Sequence, residues 1–398
     1  MGNSSGKESS GEIALNHFRL LRVVGKGSFG KVRIVEHKAT RQTYALKYIA
    51  KDEIVKSDSV KNIIRERNIL EKIKHPFICN LRYSFQDAEF LFIVVDLMTG
   101  GDLRFHISRK TIHEDAIRFW IAEAACALDY IHRQQIVHRD VKPDNILLDS
   151  QGHVSLADFN VAAKYQPGQL LYGKSGTLSY LPPEVFANTG YDATLDWWSL
   201  GVVMYECCYN RRPFPANSQS ELVEQVMHAE PVFPPTVSAE CIDVMRRLLC
   251  KDRTRRLGAG GLDDIFTHPF FEQYDRQMLE QKRVSPVFVP PSKKVNYDAS
   301  FDLEEMLLEG SPLDPRMGRR KGADIRFDKV HDVSREEELY RLLDVHFHTY
   351  DFARYAKPIS APIPAAPVLS SIVNQACQTE HRSGIPVMLS KEIASSTT

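Results

Sequence analysis

The chain has 398 residues, 43% hydrophobic and 26% charged, enough for one large two-lobed domain or two ordinary ones around a real core. Lys plus Arg number 51 and Asp plus Glu 51, so the formal charge is zero; with no repeated basic stripe, this argues against a nucleic-acid partner. Seven cysteines without CxxC spacing suit buried thiols in a reducing, cytoplasmic setting rather than a disulfide frame or a zinc site, and the amino terminus lacks a secretory apolar run.

Residues 1–17 are mostly small and polar and read as a disordered leader. Its "MGNSSGK" offers Gly2 for myristoylation, although Gly6 stands where Ser or Thr is usual. One acyl chain gives only weak, reversible membrane association. From Phe18 three short β-like runs follow: "FRLLRVVG", "KVRIVEH" and "TYALKYIA". A helix is predicted over 59–72, then a hairpin from "LRYSFQD" and "FLFIVVD". After "TGGDL" the signal turns helical, with Ile117, Ile121, Ala124, Leu128 and Ile131 on one face. A small β-rich half thus precedes a larger helical half, with the boundary near 96–101. The most apolar run, "LDWWSLGVVMYECCY", contains Asp196 and Glu206, is too short to span a bilayer, and reads as a buried helix. Beyond Phe271 the chain is punctuated by Pro, and 353–398 is Pro/Ala/Ser-rich and expected to be disordered.

Within this frame, "GKGSFGKV" (Gly25 to Val32) lies between two strand-like runs, where glycines let backbone amides approach phosphate oxygens. No helix follows it, which argues against a dinucleotide fold. Lys47 falls mid-strand in "YALKYI", and a buried strand Lys needs a partner, which Glu66 on the next helix can supply; an ordinary solvated pair is the competing reading. "IVHRDVKPDNILL" packs His138, Arg139, Asp140, Lys142 and Asn145 between two apolar runs, the mark of a site rather than a surface loop. "SLADFN" then puts Asp158 at a strand end, and "LPPE" closes the segment at Glu184.

In this order and spacing, over 18–271, these motifs resemble the eukaryotic protein kinase signature set. Lys142 in "HRDVKPDN" resembles the Ser/Thr branch. The resemblance implies an α+β, bilobal protein kinase fold with a small β-rich lobe and a larger helical one. It implies a transferase that moves the ATP γ-phosphate to Ser/Thr hydroxyls of protein substrates with Mg2+ as cofactor. By the same resemblance Gly25, Lys26, Gly27, Ser28, Phe29 and Gly30 cover the ATP phosphates, and Val32 and Ala45 line the nucleotide site. Lys47 holds the α/β-phosphates and is fixed by Glu66. Adenine lies against Asp96–Met98, with Val95 controlling the back pocket, and Asp102 binds ribose or caps the next helix. Asp140 takes the hydroxyl proton, Lys142 neutralises the γ-phosphate, and Asn145 and Asp158 hold the metal. Thr177 touches Asp140 and Lys142, Asp196 anchors the catalytic loop, and Arg256 pairs with Glu184.

Two positions depart from the pattern. Asn160 replaces the usual Gly after Asp158 and Phe159, and Gly173 stands where the AGC group of kinases carries a phosphorylated Ser or Thr, leaving Arg139 without its usual partner. Either the loop is ordered without phosphate or it depends on another partner. Residues 272–352 resemble an AGC-type tail. In it Pro290 and Pro291 are expected along the small lobe, and Phe301 and Asp302 near the adenine site. "FHTYDF" (Phe347 to Phe352) resembles the hydrophobic motif, with Asp351 in place of a phosphorylated residue and Phe347 and Tyr350 plugging a pocket beside the Glu66 helix. The competing reading makes "SREEELYRLLDVHF" an amphipathic helix capped by Ser334 and Glu337. "VVDLMTGGDLRFH", "DFNVAA" and "FDLEEMLLEG" are most similar to the YANK-type kinases. Asp102, Asp144 and Glu224 match acidic positions that hold Arg side chains in basophilic relatives. The expectation is a monomeric kinase active without loop phosphorylation; a scaffold without transfer and a small-molecule kinase are the rivals.

Overall fold

The computed structural model describes residues 12–27, 30–109, 112–291, 313 and 334–355. Ser28, Phe29, Gly2, Phe301 and Asp302 lie outside the described residues, as does the side chain of Lys26. Contacts divide the chain after Ala353, and both lobes belong to the first unit.

The apolar–polar alternation of the early runs produces strands β1 (Phe18–Gly27), β2 (Gly30–His37), β3 (Thr43–Ala50), β4 (Leu81–Gln86) and β5 (Phe90–Asp96). They pair antiparallel in the order β1-β2-β3-β5-β4, with a short strand from far along the chain, β10 (Tyr350–Asp351), added beside β4. Side chains alternate between the faces of a strand, and directly opposed residues share a face. Tyr44, Leu46 and Tyr48 therefore point one way and join Phe18, Val35, Phe92 and Val94 in one apolar cluster. Ala45 and Lys47 point the other way. Val32 opposes Lys47 and Val95 opposes Ala45 in register, so the face turned to the helical lobe carries the half-buried residues.

Helices α1 (Lys51–Lys56) and α2 (Val60–Lys72) sit between β3 and β4; α1 was not expected from the sequence. Val60, Ile63, Glu66, Arg67 and Leu70 form one buried helical stripe of α2, with Ile69 buried beside it, which brings Glu66 into the interior. The larger lobe is built on α4 (Glu114–Arg133) and α6 (Thr194–Tyr209), preceded by α3 (Leu103–Ser108). Ile117, Ile121, Ala124, Leu128 and Ile131 of α4 are all buried, and α6 is buried on nearly every side. Small strands β6 (Ile136–Val137), β7 (Ile146–Leu148), β8 (Val154–Leu156) and β9 (Ala163–Lys164) carry the polar loops between them. Short α5 (Pro183–Phe186), then α7 (Gln219–His228), α8 (Ala239–Leu248), α9 (Leu262–Phe266) and α10 (Arg276–Glu280) complete the lobe.

Phe288, two residues before Pro290, packs edge-on against His106 and Trp120 of the helical lobe, at 5.1 and 5.5 Å, in an aromatic slot. The two readings of the distal tail turn out to be compatible. Ser334 caps α11 (Arg335–His346) by accepting from the Glu337 amide, and the aromatic motif begins where that helix ends.

Candidate active site

The catalytic loop between β6 and β7 is positioned from below by one buried carboxylate. Asp196, in the first turn of α6 and fully buried, accepts the backbone amides of His138 and Arg139 at 2.8 and 2.9 Å and pairs with His132 at 2.8 Å. Burial works against its charge, and the His132 and His138 contacts more than offset that, so its carboxyl lies below the ordinary value. The loop it holds presents Asp140. One oxygen of Asp140 accepts the Thr177 amide (2.9 Å) and hydroxyl (2.7 Å); the other accepts Asn145 Nδ2 (3.0 Å) and Lys142 Nζ (2.8 Å). Lys142 also donates to the Thr177 hydroxyl at 3.0 Å, so Thr177 touches both residues as expected. Gly176 sets this approach: its φ is +100°, and a Cβ there would lie 2.0 Å from the Arg139 carbonyl oxygen.

Across the cleft, Lys47 donates to both oxygens of Glu66 at 2.8 and 3.1 Å and lies 3.6 Å from Asp158. Burial opposes the Lys47 charge, but Glu66 and Asp158 outweigh it, and the proton stays on the lysine. Asp158 adopts φ +59°. Burial would raise its carboxyl, yet Lys47, His138 and Lys142 together hold it below the ordinary value. Its Oδ1, the atom 3.6 Å from Lys47 Nζ, is buried without a hydrogen-bond partner among the described residues. That atom and the Asn145 amide are hard oxygen donors of the kind magnesium takes, so the residues fit the metal. Asn160 is buried and is not among the residues with positive φ; its Oδ1 also has no partner among the described residues.

Val32, Ala45 and Val95, all half-buried, share the sheet face that carries Lys47, whereas the Asp96 side chain, opposite Tyr44, is on the other face and Met98 follows in the connection to α3. The Asp96 carboxylate is engaged by Arg82 and Asn80, and its amide donates to the Asn80 carbonyl. Gly25, Lys26 and Gly27 are in the β1–β2 hairpin, with Gly27 opposite Gly30 and Gly25 opposite Val32. Asp102 caps α3, accepting the Phe105 amide at 2.7 Å; burial leads the causes that raise its carboxyl. Arg256 is fully buried and makes a bidentate pair with Glu184, at 2.7 and 3.0 Å.

Arg139 has φ +68°, and its Nε donates to the Val161 carbonyl at 2.6 Å and its Nη1 to the Tyr191 hydroxyl at 3.2 Å. Leu171 and Tyr191 exchange both backbone hydrogen bonds, which ties the loop to the helical lobe. Gly173 has φ +89°, so its backbone gives a second reason, besides the missing hydroxyl, why no Ser or Thr stands there. Glu224 is a correction: it is three-quarters exposed on α7 beside His228, whereas the buried carboxylate that shares a partner, Arg104, with Asp144 is Glu206. A glutamate inside the otherwise apolar α6 run was the available signal.

The tail reaches this machinery through α2. Phe347 is fully buried, its carbonyl accepts Gln86 Nε2 at 3.0 Å, and the His348 carbonyl accepts Arg67 Nε (3.2 Å) and Ser84 Oγ (2.9 Å). Tyr350 pairs with Ser84 on β4. Asp351 accepts the Ala353 amide at 3.0 Å.

A β-rich lobe over a helical lobe, with a lysine–glutamate pair facing an aspartate across the cleft, defines a phosphoryl-transfer enzyme of the kinase class. The model of the protein kinase domain matches residues 18–271. The chain is similar to serine/threonine-protein kinase 32C of Homo sapiens, 41% identical over 338 residues, covering 83% of this chain and 69% of that protein. It is similar to serine/threonine-protein kinase 32B of Homo sapiens, 40% identical with 80% of each chain covered, and to serine/threonine-protein kinase Sgk1 of Gallus gallus, 40% identical with 74% and 70% covered. The chain belongs to the protein kinase family, as a serine/threonine kinase of the AGC group, and is most like the YANK-type kinases.

Proposed function

We propose that the residues gathered at the cleft transfer the γ-phosphate of magnesium-bound ATP to a Ser or Thr hydroxyl without a phosphorylated activation loop. One observation carries this: Asp140 is oriented by Thr177, Asn145 and Lys142 at the same time as Lys47 is seated on Glu66, an assembled arrangement. Lys47 binds the α/β-phosphates, and the β1–β2 hairpin covers them with backbone amides. Asp140 orients the acceptor hydroxyl and takes its proton, while Lys142 neutralises charge on the phosphoryl oxygens. Asn145 and Asp158 hold magnesium, which when bound shields the negative charge of the phosphates. The carbonyl of Asp96 and the backbone to Met98 receive adenine, with Val32, Ala45 and Val95 as its apolar walls.

The ordering of the loop rests on Arg139 held by Val161 and Tyr191, in the place of phosphate. Completeness of Lys47, Asp140, Asn145 and Asp158 favours transfer over a scaffold role, and the segment from Thr177 to Glu184 favours an extended peptide over a small molecule. The reading also includes a monomer in the cytoplasm, with its six described cysteines as free thiols, and weak membrane association through Gly2. The test is transfer of radiolabelled phosphate to a generic Ser-containing protein. Asp140→Asn should lower the rate by at least about a hundredfold, while nucleotide still raises the melting temperature. Equal rates would remove Asp140 from the mechanism; an inactive wild type would favour the scaffold.

A further inference from the structure

Beside the catalytic loop lies a charge cluster that the transfer mechanism does not use. Glu206, near the carboxyl end of α6, is almost wholly buried, with its side chain 4% exposed. A carboxylate so placed needs a partner, and this one has several, all from its own chain. Arg104 on α3 donates to both Glu206 oxygens, at 3.2 and 3.3 Å, and reaches Asp144 of the catalytic loop at 3.3 Å. Tyr180 bonds both Arg104 and Glu206 through its hydroxyl. Arg212 approaches Glu206 at 3.4 Å and donates to Ser179 at 2.9 Å. Two carboxylates thus meet two guanidiniums, with the Asp102 carboxylate acting on Asp144 and Arg104 from the start of α3. Glu206 is covered on its outer side by cations, Arg104 at 35% and Arg212 at 46% exposed, and Asp144, at 47%, is the exposed carboxylate that Arg104 holds.

The position of this cluster gives it a consequence for substrates. Asp144 follows Asp140 by four residues, and Tyr180 follows Thr177 by three. Four residues of chain reach at most about 14 Å, so a peptide presenting its hydroxyl to Asp140 passes the cluster within a few residues of the acceptor. We propose that Arg104 is a specificity-determining residue: it occupies a two-carboxylate socket beside the catalytic loop, so the kinase does not select a cationic side chain at the substrate position that passes there. Acceptor segments with a neutral or acidic residue at that position are the matching class. The inference rests on the peptide-kinase reading above.

The test compares Ser-containing peptides in which Arg or Ala is placed in turn at each position flanking the acceptor. For the wild type, kcat/KM with Arg should not exceed that with Ala at the position facing the cluster. Arg104→Met, which keeps the apolar stem, frees Glu206 and Asp144. It should raise the Arg-to-Ala ratio about tenfold or more at one position, and adding Glu206→Gln should abolish the gain. A general structural effect would change both peptides alike and leave the ratio unmoved; an unmoved ratio overturns the proposal. The wild type needs no variant to speak against it: a strong Arg preference at one position that is lost in Glu206→Gln also overturns it. Wild-type protein that phosphorylates none of the peptides and no generic protein would instead overturn the kinase reading, and this inference with it.

Discussion

Tyr191 does at residue scale what a phosphate does elsewhere: it gives the Arg139 guanidinium an oxygen to bond. The geometry follows from the backbone exchange with Leu171, which brings Tyr191 up to the loop, and from Val161, whose carbonyl takes the other side of Arg139. A hydrogen bond to a charged group contributes about 1.5–3 kcal/mol. Tyr191→Phe keeps the buried ring and removes only the hydroxyl. We expect kcat to fall about three- to tenfold, with nucleotide binding and melting temperature little changed. A fully active variant would show that Val161 alone orders Arg139. None of this was readable beforehand, because Tyr191 lies 52 residues beyond Arg139. Asp196 shares that spatial logic and was anticipated only through the resemblance to protein kinases, since nothing near it in the chain points to the amides of His138 and Arg139.

Among the elements, α2 is the one on which both the nucleotide side and the tail act. Glu66 on one part of its buried stripe holds Lys47, and Arg67, the next residue, bonds the His348 carbonyl. Helix α11 adds contacts to α1: Lys51 with Asp344 at 3.0 Å, and Tyr340 with Asp52. Phe347 is the buried anchor. Replacing a buried Phe by Ala costs about 3–5 kcal/mol, more than the docking of so short a segment can lose and stay in place. Phe347→Ala should therefore release the tail from α2, raise the KM for ATP and lower kcat. The same KM and kcat as wild type would mean that α2 keeps Glu66 inward unaided. The helix before this motif was legible from its cap and periodicity. The seating of the motif on Ser84 and Gln86 of β4 was not, because backbone pairing between segments more than two hundred residues apart leaves no local pattern.

For the whole molecule, acid sensitivity is expected from a histidine between the lobes. His75, in the connection from α2 to β4, stacks on Tyr130 of α4 at 4.9 Å, and Phe77 donates its amide to the His75 Nδ1 at 3.2 Å. Burial, aided by Arg133 and Arg276 against Glu280, lowers its pKa to about 4. The unfolded chain takes up that proton near pH 6.5, so between these values it binds more protons than the folded one. Stability should fall as the pH drops through this window, by about 2 kcal/mol from pH 7 to pH 5 for this one group. Urea unfolding at the two pH values measures it. His75→Gln, which keeps an acceptor for the Phe77 amide, should flatten the dependence; an unchanged slope in the variant would assign it to other groups.

Chemistry along the chain announced itself because it is short-range: Lys47 mid-strand, Asp140 and Asn145 flanked by apolar runs, Asp158 at a strand end, and the alternation and helical spacing that made two lobes. Those features depend on neighbours within a turn or a strand, and a reader of residues can see them. Long-range pairings without a family motif to announce them belong to the folded molecule alone. Arg104 reaching Glu206, Tyr191 meeting Arg139 and the His348 carbonyl meeting Arg67 and Ser84 each join residues that only packing brings together. Which carboxylate faces a substrate and which is already taken is settled by that packing, since a charge finds its partner through space and not through sequence distance.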